Sequence, residues 1–218
     1  MTPHLTPDLL LRAYQLGLFP MATSRDSRAL HWLDPEMRGI LPLDGLHISR
    51  SLMKCLRGDH FTVTTDTAFA AVIAGCAKCR DNRPETWINQ DIEHLFIQLH
   101  QLGFAHSLET WKNGELVGGL YGISLGGAFF GESMFSTVPN GSKVALAHLV
   151  VRLRIGGYSL LDTQFITSHL ASLGAIETPR ATYHSMLAQA LERPARFPAC
   201  LEPALLINEF KSIRRKSS

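Results

Sequence analysis

The sequence predicts an α+β fold built in layers. Three observations lead there. Strand-like and helix-like segments follow one another as strand, helix, helix, three strands, helix, strand, helix. The three consecutive strands are separated by tight-turn pairs, Asn113-Gly114 and Gly126-Gly127, so they read as an antiparallel meander. The helix that follows them, from Ser142 through Ile155, is largely apolar and so reads as buried.

The elements follow in order. Thr6-Pro7-Asp8 is an N-cap followed by proline at the first helical position; the helix runs through Leu9, Leu10, Ala13 and Leu16, and Gly17 stops it. Residues 18–45 are rich in Pro, Gly and Asp and read as irregular. Phe61 to Thr65 alternates and is rich in β-formers, which predicts a strand, and a helix follows from Thr67 to Lys78. Residues 80–86 form a polar loop. From Gln90 to Leu102, the residues Ile92, Leu95, Phe96, Leu99 and Leu102 make one helical stripe. The meander takes Ala105–Lys112, Glu115–Ile123 and Ala128–Phe135, after which Ser142 can cap the buried helix. Ser159 to Gln164 is a further strand, and Thr178-Pro179 opens a last helix to about Leu191. The order suits an acyltransferase-like domain of the N-acetyltransferase type. A boundary near residue 45 divides it (46–205) from a small N-terminal domain (1–45), and Lys211 to Lys216 makes 206–218 a basic tail.

At 218 residues the chain holds one domain, or one with a small appendage. With 45% hydrophobic and 18% charged residues it has a globular balance, which excludes wholesale disorder. A net charge of +2 neither announces nor excludes a nucleic-acid partner, because the placement of charge decides that. Cys55, Cys76, Cys79 and Cys200 are too few and too scattered for a disulfide scaffold. Residues 1–8 lack the basic start and apolar core of a signal peptide, and no apolar run reaches the roughly 20 residues of a membrane span. The expectation is a cytoplasmic protein with no membrane partner.

Few motifs carry chemistry. Cys76 and Cys79 have metal-like spacing, but a structural zinc needs four ligands and no second close pair exists. The histidines show no ligand spacing, and no Gly-x-Ser-x-Gly elbow is present. Gly118, Gly119, Gly122, Gly126 and Gly127 lie within the meander, where they serve turning and close strand approach rather than a phosphate cradle. Glu132, within an otherwise apolar strand, either faces solvent or meets a cation such as a substrate α-ammonium group. Asp162 and Gln164 share a strand face, with Leu161 on the other, at a strand end that suits either a site or a loop contact. Trp87 either stacks on a base or packs on the next helix; Trp32 and Trp111 share that ambiguity.

Taken together, the residues resemble the leucyl/phenylalanyl-tRNA–protein transferases. The resemblance runs through Tyr14-Gln-Leu-Gly-Leu-Phe-Pro20, Leu46-His-Ile-Ser-Arg50, Thr86-Trp-Ile88, Gly103-Phe-Ala-His-Ser107 and Leu116-Val-Gly-Gly-Leu-Tyr-Gly122. It continues through Gly131-Glu-Ser-Met-Phe-Ser136, Asn140-Gly-Ser-Lys143, Asp162-Thr-Gln164 and Ala171-Ser-Leu-Gly-Ala175. Each stretch is modest alone, and their order and spacing make the match specific over residues 9–191. The resemblance implies transfer of leucine or phenylalanine from aminoacyl-tRNA to an N-terminal Arg or Lys of an acceptor protein, which marks that protein for degradation. It places Trp87 at the donor's 3′ adenosine, Glu132 in the aminoacyl site, and Asp162 and Gln164 at the reaction centre. Leu120, Leu149 and Leu161 are expected to form the apolar pocket for the donor side chain. Met21 stands where members often carry tryptophan against the adenosine, Leu149 replaces an aromatic pocket residue, and Thr167 stands where asparagine is common.

Aminolysis of an activated ester needs no ATP, metal or coenzyme. The attacking α-amine has a reference pKa of about 7.7–8.0, so a usable fraction is neutral near pH 7 without a strong base. Alignment and oxyanion stabilisation are then the main demands. Gln164 is expected to accept a hydrogen bond from the amine, with Asp162 polarising that contact or pairing with the amine. Arg50, Lys54, Arg57, Lys143 and the basic tail are candidates for a salt-sensitive tRNA contact. Two alternatives stay open. One is a related tRNA-dependent transferase acting on acidic N-termini. The other is a coenzyme A-dependent N-acetyltransferase, for which Arg152–Gly157 is the nearest phosphate loop and lies at a helix C-terminus.

Overall fold

A computed structural model of the chain describes residues 5–25, 27, 29–58, 60–78 and 86–216. In chain order the elements are α1 (Pro7–Gln15), β1 (Phe19–Ala22), β2 (Leu30–Leu33), β3 (Met37–Ile40), α2 (Arg50–Arg57), β4 (Thr62–Thr65), α3 (Phe69–Ala77) and α4 (Gln90–Gln101). Then follow β5 (Ala105–Lys112), β6 (Glu115–Leu125), β7 (Ala128–Ser136), α5 (Gly141–Ile155), β8 (Leu160–Gln164), α6 (Ser168–Ser172), β9 (Ile176–Pro179), α7 (Arg180–Leu191) and α8 (Pro203–Lys216). Among the described residues no helix is long and apolar enough to cross a membrane.

The fold is a mixed α+β structure around one mixed sheet, ordered β4-β5-β6-β7-β8-β3-β9, with β1 and β2 paired separately. The meander β5-β6-β7 pairs antiparallel, and β7 runs parallel to β8. Parallel neighbours need a long crossover, and α5 supplies it. Side-chain alternation sorts the core into two clusters. Tyr121, Phe130 and Leu160 join Leu10, Tyr14, Ile73, Phe96 and Tyr183 from α1, α3, α4 and α7. Leu120, Phe129 and Leu161 join Leu52, Leu149, Phe210 and Ile213 from α2, α5 and α8. The sheet is therefore covered on both faces.

Helix starts follow local chemistry where a side chain can reach back. Thr6 Oγ1 accepts from the Leu9 amide and Asn89 Oδ1 accepts from the Ile92 amide, capping α1 and α4. The expected Ser142 cap is a correction. Asn140, with φ of 70°, occupies the cap position, and Ser142 lies inside the first turn with its amide donating to Ser136 Oγ. Gly118 allows the start of α5 to approach, since a Cβ there would lie 2.7 Å from the Gly141 carbonyl carbon.

Residues 18–45 are more ordered than their composition indicates. They hold β1, β2 and β3, and β3 is inserted between β8 and β9. Strands of four residues pair with distant partners, and no local period signals that. The basic tail is likewise a helix: α8 buries Phe210 and Ile213 while Lys211 and Arg215 stay exposed. The apolar residues at 206, 207, 210 and 213 recur at helical spacing, which gives the segment a face to bury. Leu102, read as part of the α4 stripe, is 60% exposed because α4 ends at Gln101.

Candidate active site

A cavity of about 300 Å³ opens where β7 and β8 separate. Their register runs Ala128↔Leu160, Phe129↔Leu161 and Phe130↔Asp162, and pairing stops there. Two residues further along each strand stand Glu132 and Gln164. Both line the cavity.

A local device aims each of them. Between β6 and β7 the register steps from Gly122↔Gly131 to Tyr121↔Ser133, so Glu132 is the extra residue of a bulge. Bulges redirect side chains and bend strands, which turns a carboxylate in an apolar strand toward the opening. Gln164 has φ of 60°, a left-handed conformation uncommon outside glycine. That conformation breaks the alternation expected of β8. Gln164 lines the cavity, whereas Asp162 is completely buried and does not. The shared face predicted for Asp162 and Gln164 is therefore a correction, caused by the turn of the backbone at Gln164.

The polar contacts form one chain. Tyr14 Oη donates to Glu132 Oε1 at 2.7 Å, and Gln164 Nε2 donates to the same oxygen at 3.0 Å. The Gln164 amide N–H donates to Asp162 Oδ1 at 2.8 Å. Arg38 grips Asp162 with Nε on both oxygens (3.0 and 3.2 Å) and Nη2 on Oδ2 at 2.6 Å, while Tyr183 Oη donates to Oδ2 at 2.7 Å. A carboxylate has about four lone-pair sites, so Asp162 is saturated by protein donors. Among the described residues, Glu132 Oε2 and Gln164 Oε1 accept no hydrogen bond. When Glu132 is ionised, two acceptor oxygens are thus left to the cavity.

Burial sets the ionisation of this chain. It pushes the Glu132 carboxyl up to about 8, with the Asp162 charge adding to the rise and the bonds from Tyr14 and Gln164 opposing it. Burial also raises Tyr14 and Tyr183, and the Glu132 and Asp162 charges raise them further, so both stay protonated donors. Burial opposes the Arg38 charge, but the bond and charge of Asp162 more than restore it.

The cavity walls are apolar. Leu120 and Leu161 come from the sheet, Leu146 and Leu149 from α5, Phe19, Pro20 and Met21 from β1, and Trp87 from the segment before α4. Met21 and Trp87 thus lie on the same cavity. Thr167 also lines it and caps α6 by accepting from the Leu170 amide at 3.2 Å. Trp32 is on β2, away from the lining, and Trp111 donates to Thr64 Oγ1 at 2.8 Å. Cys76 is buried and Cys79 lies outside the described residues. Among the described residues no group of three or more His, Cys, Asp or Glu could hold a metal. Glu132 is buried rather than facing solvent, and its hydrogen-bond partners are a hydroxyl and an amide rather than a cationic side chain.

Sequence reasoning missed Arg38, Tyr183 and Tyr14 as parts of the site. Arg38 sits in a stretch with no periodic pattern, and Tyr183 lies on a helix 21 residues from Asp162, so only tertiary contact reveals either. Tyr14 fell in a recognised stretch, yet the partner of its hydroxyl is 118 residues away.

Comparison with known proteins identifies the family. The family model described as leucyl/phenylalanyl-tRNA protein transferase matches residues 40–188, and the model of its N-terminal domain matches residues 4–36. A leucyl/phenylalanyl-tRNA–protein transferase of Paramagnetospirillum magneticum is 58% identical over 193 residues, covering 88% of this chain and 92% of that protein. Those of Rhodospirillum rubrum (58% over 188 residues; 86% and 88% covered) and Rhizorhabdus wittichii (60% over 185 residues; 85% and 75% covered) are comparably similar. Among solved structures, L-PGS from Bacillus licheniformis superposes with a TM-score of 0.39 at 15% identity, covering 71% of this chain and 51% of that one. With both family models accounting for most of its length, this chain belongs to the leucyl/phenylalanyl-tRNA protein transferase family.

Proposed function

We propose that this chain is an aminoacyltransferase that moves leucine or phenylalanine from aminoacyl-tRNA to the N-terminal Arg or Lys of an acceptor protein. The observation that carries the reading is the pair of unused oxygens, Glu132 Oε2 and Gln164 Oε1, beside an apolar cavity. The donor's leucyl or phenylalanyl side chain fits among Leu120, Leu149 and Leu161, and its α-ammonium meets Glu132. The 3′ adenosine lies between Met21 and Trp87, where a thioether and an indole can both pack on a base.

The acceptor amine donates to Gln164 Oε1 and attacks the ester carbonyl carbon. The new C–N bond forms as the C–O bond to the ribose 3′ oxygen breaks, and one amine proton ends on that oxygen as the tRNA's 3′ hydroxyl. An amide cannot hold the proton in transit, so Gln164 aligns the amine rather than deprotonating it. Asp162, already saturated, acts by holding Gln164 and not by touching substrate. The reaction needs no cofactor, because the ester already carries the driving force.

Basic residues offer a track for the tRNA body. Arg50, Lys54 and Arg57 are exposed on α2, and α8 packs beside α2 with Lys211 and Arg215 exposed. Lys143 is half-buried near the start of α5. Such contacts bind phosphate through counterion release. The mixed sheet, with its two parallel strands parting at the site, supports an acyltransferase-like fold of the N-acetyltransferase type. A small N-terminal domain is part of the same reading; its junction with the catalytic domain is better placed before Met37, since β3 joins the main sheet. Marking of products for degradation and a cytoplasmic setting complete the proposal.

The test mixes purified protein, labelled leucyl-tRNA and peptides beginning with Lys or Arg, with no ATP or coenzyme A. Label in those peptides and none in a matched peptide beginning with Asp is the expected result. Label only in the Asp peptide would move the acceptor class. No transfer to any peptide, with tRNA still bound, would end the enzyme reading.

A further inference from the structure

We propose that Arg38 is a positioning residue: through Asp162 it holds the Gln164 backbone in the left-handed conformation that puts the Gln164 amide into the cavity. Arg38 is fully buried, and its guanidinium lies 4.4 Å from the ring centroids of both Phe19 and Tyr183. Its donors are divided. Nε and Nη2 take both oxygens of Asp162, and Nη1 donates to the Gly17 carbonyl at 2.8 Å. Only a planar fork stacked between two rings satisfies all of these at once.

The consequence falls on Gln164. Its φ of 60° is strained for a residue with a side chain, and such strain persists only where surrounding contacts enforce it. The enforcing contact is the bond from the Gln164 amide to Asp162 Oδ1 at 2.8 Å. That oxygen also accepts from Arg38 Nε at 3.0 Å, so the guanidinium fixes where it stands. Without the guanidinium, the buried carboxyl loses the fork that fixes both of its oxygens and can turn or draw in water, and either weakens the bond that keeps Gln164 turned. The same guanidinium fixes Gly17, which leads directly into Phe19, Pro20 and Met21 on the cavity wall. Arg38 therefore sets the donor wall and Gln164 in one register.

The kinetic arm of the test rests on the transfer reading; the backbone arm does not. Arg38→Lys keeps a charge but loses the fork. At saturating substrates kcat should fall on the order of 100-fold, the effect of a misplacement near 1 Å. The KM for leucyl-tRNA should stay within about threefold, and hydrogen exchange at the Gln164 amide should accelerate while amides of β5 and β6 keep their protection. Tyr183→Phe removes one bond to Asp162 and no buried charge, so it serves if the lysine variant does not fold. It should shift kcat and Gln164 exchange the same way by a smaller factor. Unchanged exchange at Gln164 would overturn the proposal, as would kcat and KM that change only with the folded fraction. If the unaltered protein transfers nothing, the exchange arm decides alone: protection at Gln164 that both variants retain would reject the clamp.

Discussion

Gln164 and Glu132 meet across the gap between β7 and β8, with Gln164 Nε2 donating to Glu132 Oε1 at 3.0 Å. The bond spends one of the amide's two donors and one carboxylate oxygen on each other. It leaves one oxygen of each residue without a protein donor among the described residues, beside the apolar pocket. Tyr14 completes the arrangement by donating to the shared Glu132 oxygen.

The buried Glu132 links stability to pH. Its ordinary carboxylate value of 4.5 is raised to about 8 in the folded state, chiefly by burial. Between these values the folded protein keeps a proton that the unfolded chain has released. Glu132's contribution is therefore fully present below about pH 4.5 and lost as pH rises to about 8. Denaturant unfolding across this window should show a falling contribution that Glu132→Gln removes. At pH values where Glu132 is ionised, the same variant should weaken donor binding about tenfold or more, the scale of a lost charge-assisted bond; donor affinity equal to that of the parent there would argue against an ammonium at Glu132.

Tyr14→Phe deletes a bond that favours the ionised form of Glu132. The pH at which donor binding improves should move upward in the variant. Stability should drop by about 1 kcal/mol, the usual net worth of one hydrogen bond. A pH profile that does not move would place the Tyr14 bond outside the functional network.

Met21→Trp should tighten the donor. An aromatic face on a base is worth about 1–3 kcal/mol, and a thioether supplies less, so a gain of about three- to tenfold in affinity for leucyl-tRNA is expected from the difference. Filter binding with charged tRNA checks it, and a loss instead would mean that the cavity mouth at Met21 is too narrow for the indole.

Leu149→Phe should narrow the pocket. Phenylalanyl transfer should fall relative to leucyl transfer by about tenfold, within the roughly 1–3 kcal/mol that an apolar pocket discriminates. Competition between the two charged tRNAs measures the ratio directly. An unaltered ratio would remove Leu149 from the selecting wall.

Lys211→Ala with Arg215→Ala should weaken tRNA binding without altering the pocket. Each lost phosphate contact lowers the slope of log affinity against log salt by about 1. A slope equal to the parent's would remove α8 from the tRNA track.

Residues whose partners are close in sequence were legible. The meander was readable because Asn113-Gly114 and Gly126-Gly127 match hairpin geometry, and α4 because its apolar stripe is local. The strands β1, β2, β3 and β9 were not, since four-residue pairings between distant segments leave no period to read. The α8 face was available at positions 206, 207, 210 and 213, but its basic residues drew attention to charge instead.

The site divides along the same line. By itself the sequence determined which residue types are on hand: a carboxylate in an apolar strand, an Asp-x-Gln at a strand end, and leucines around them. Their order along the chain also determined the family. Only the tertiary structure decided their geometry. A bulge at Glu132 and a left-handed turn at Gln164 are one-residue departures from ideal strands, set by packing against other elements. The saturation of Asp162 depends on Arg38 and Tyr183, which lie 124 and 21 residues away. Hydrogen-bond capacity is spent in three dimensions, so what remains for a substrate becomes visible only when every protein partner is in place.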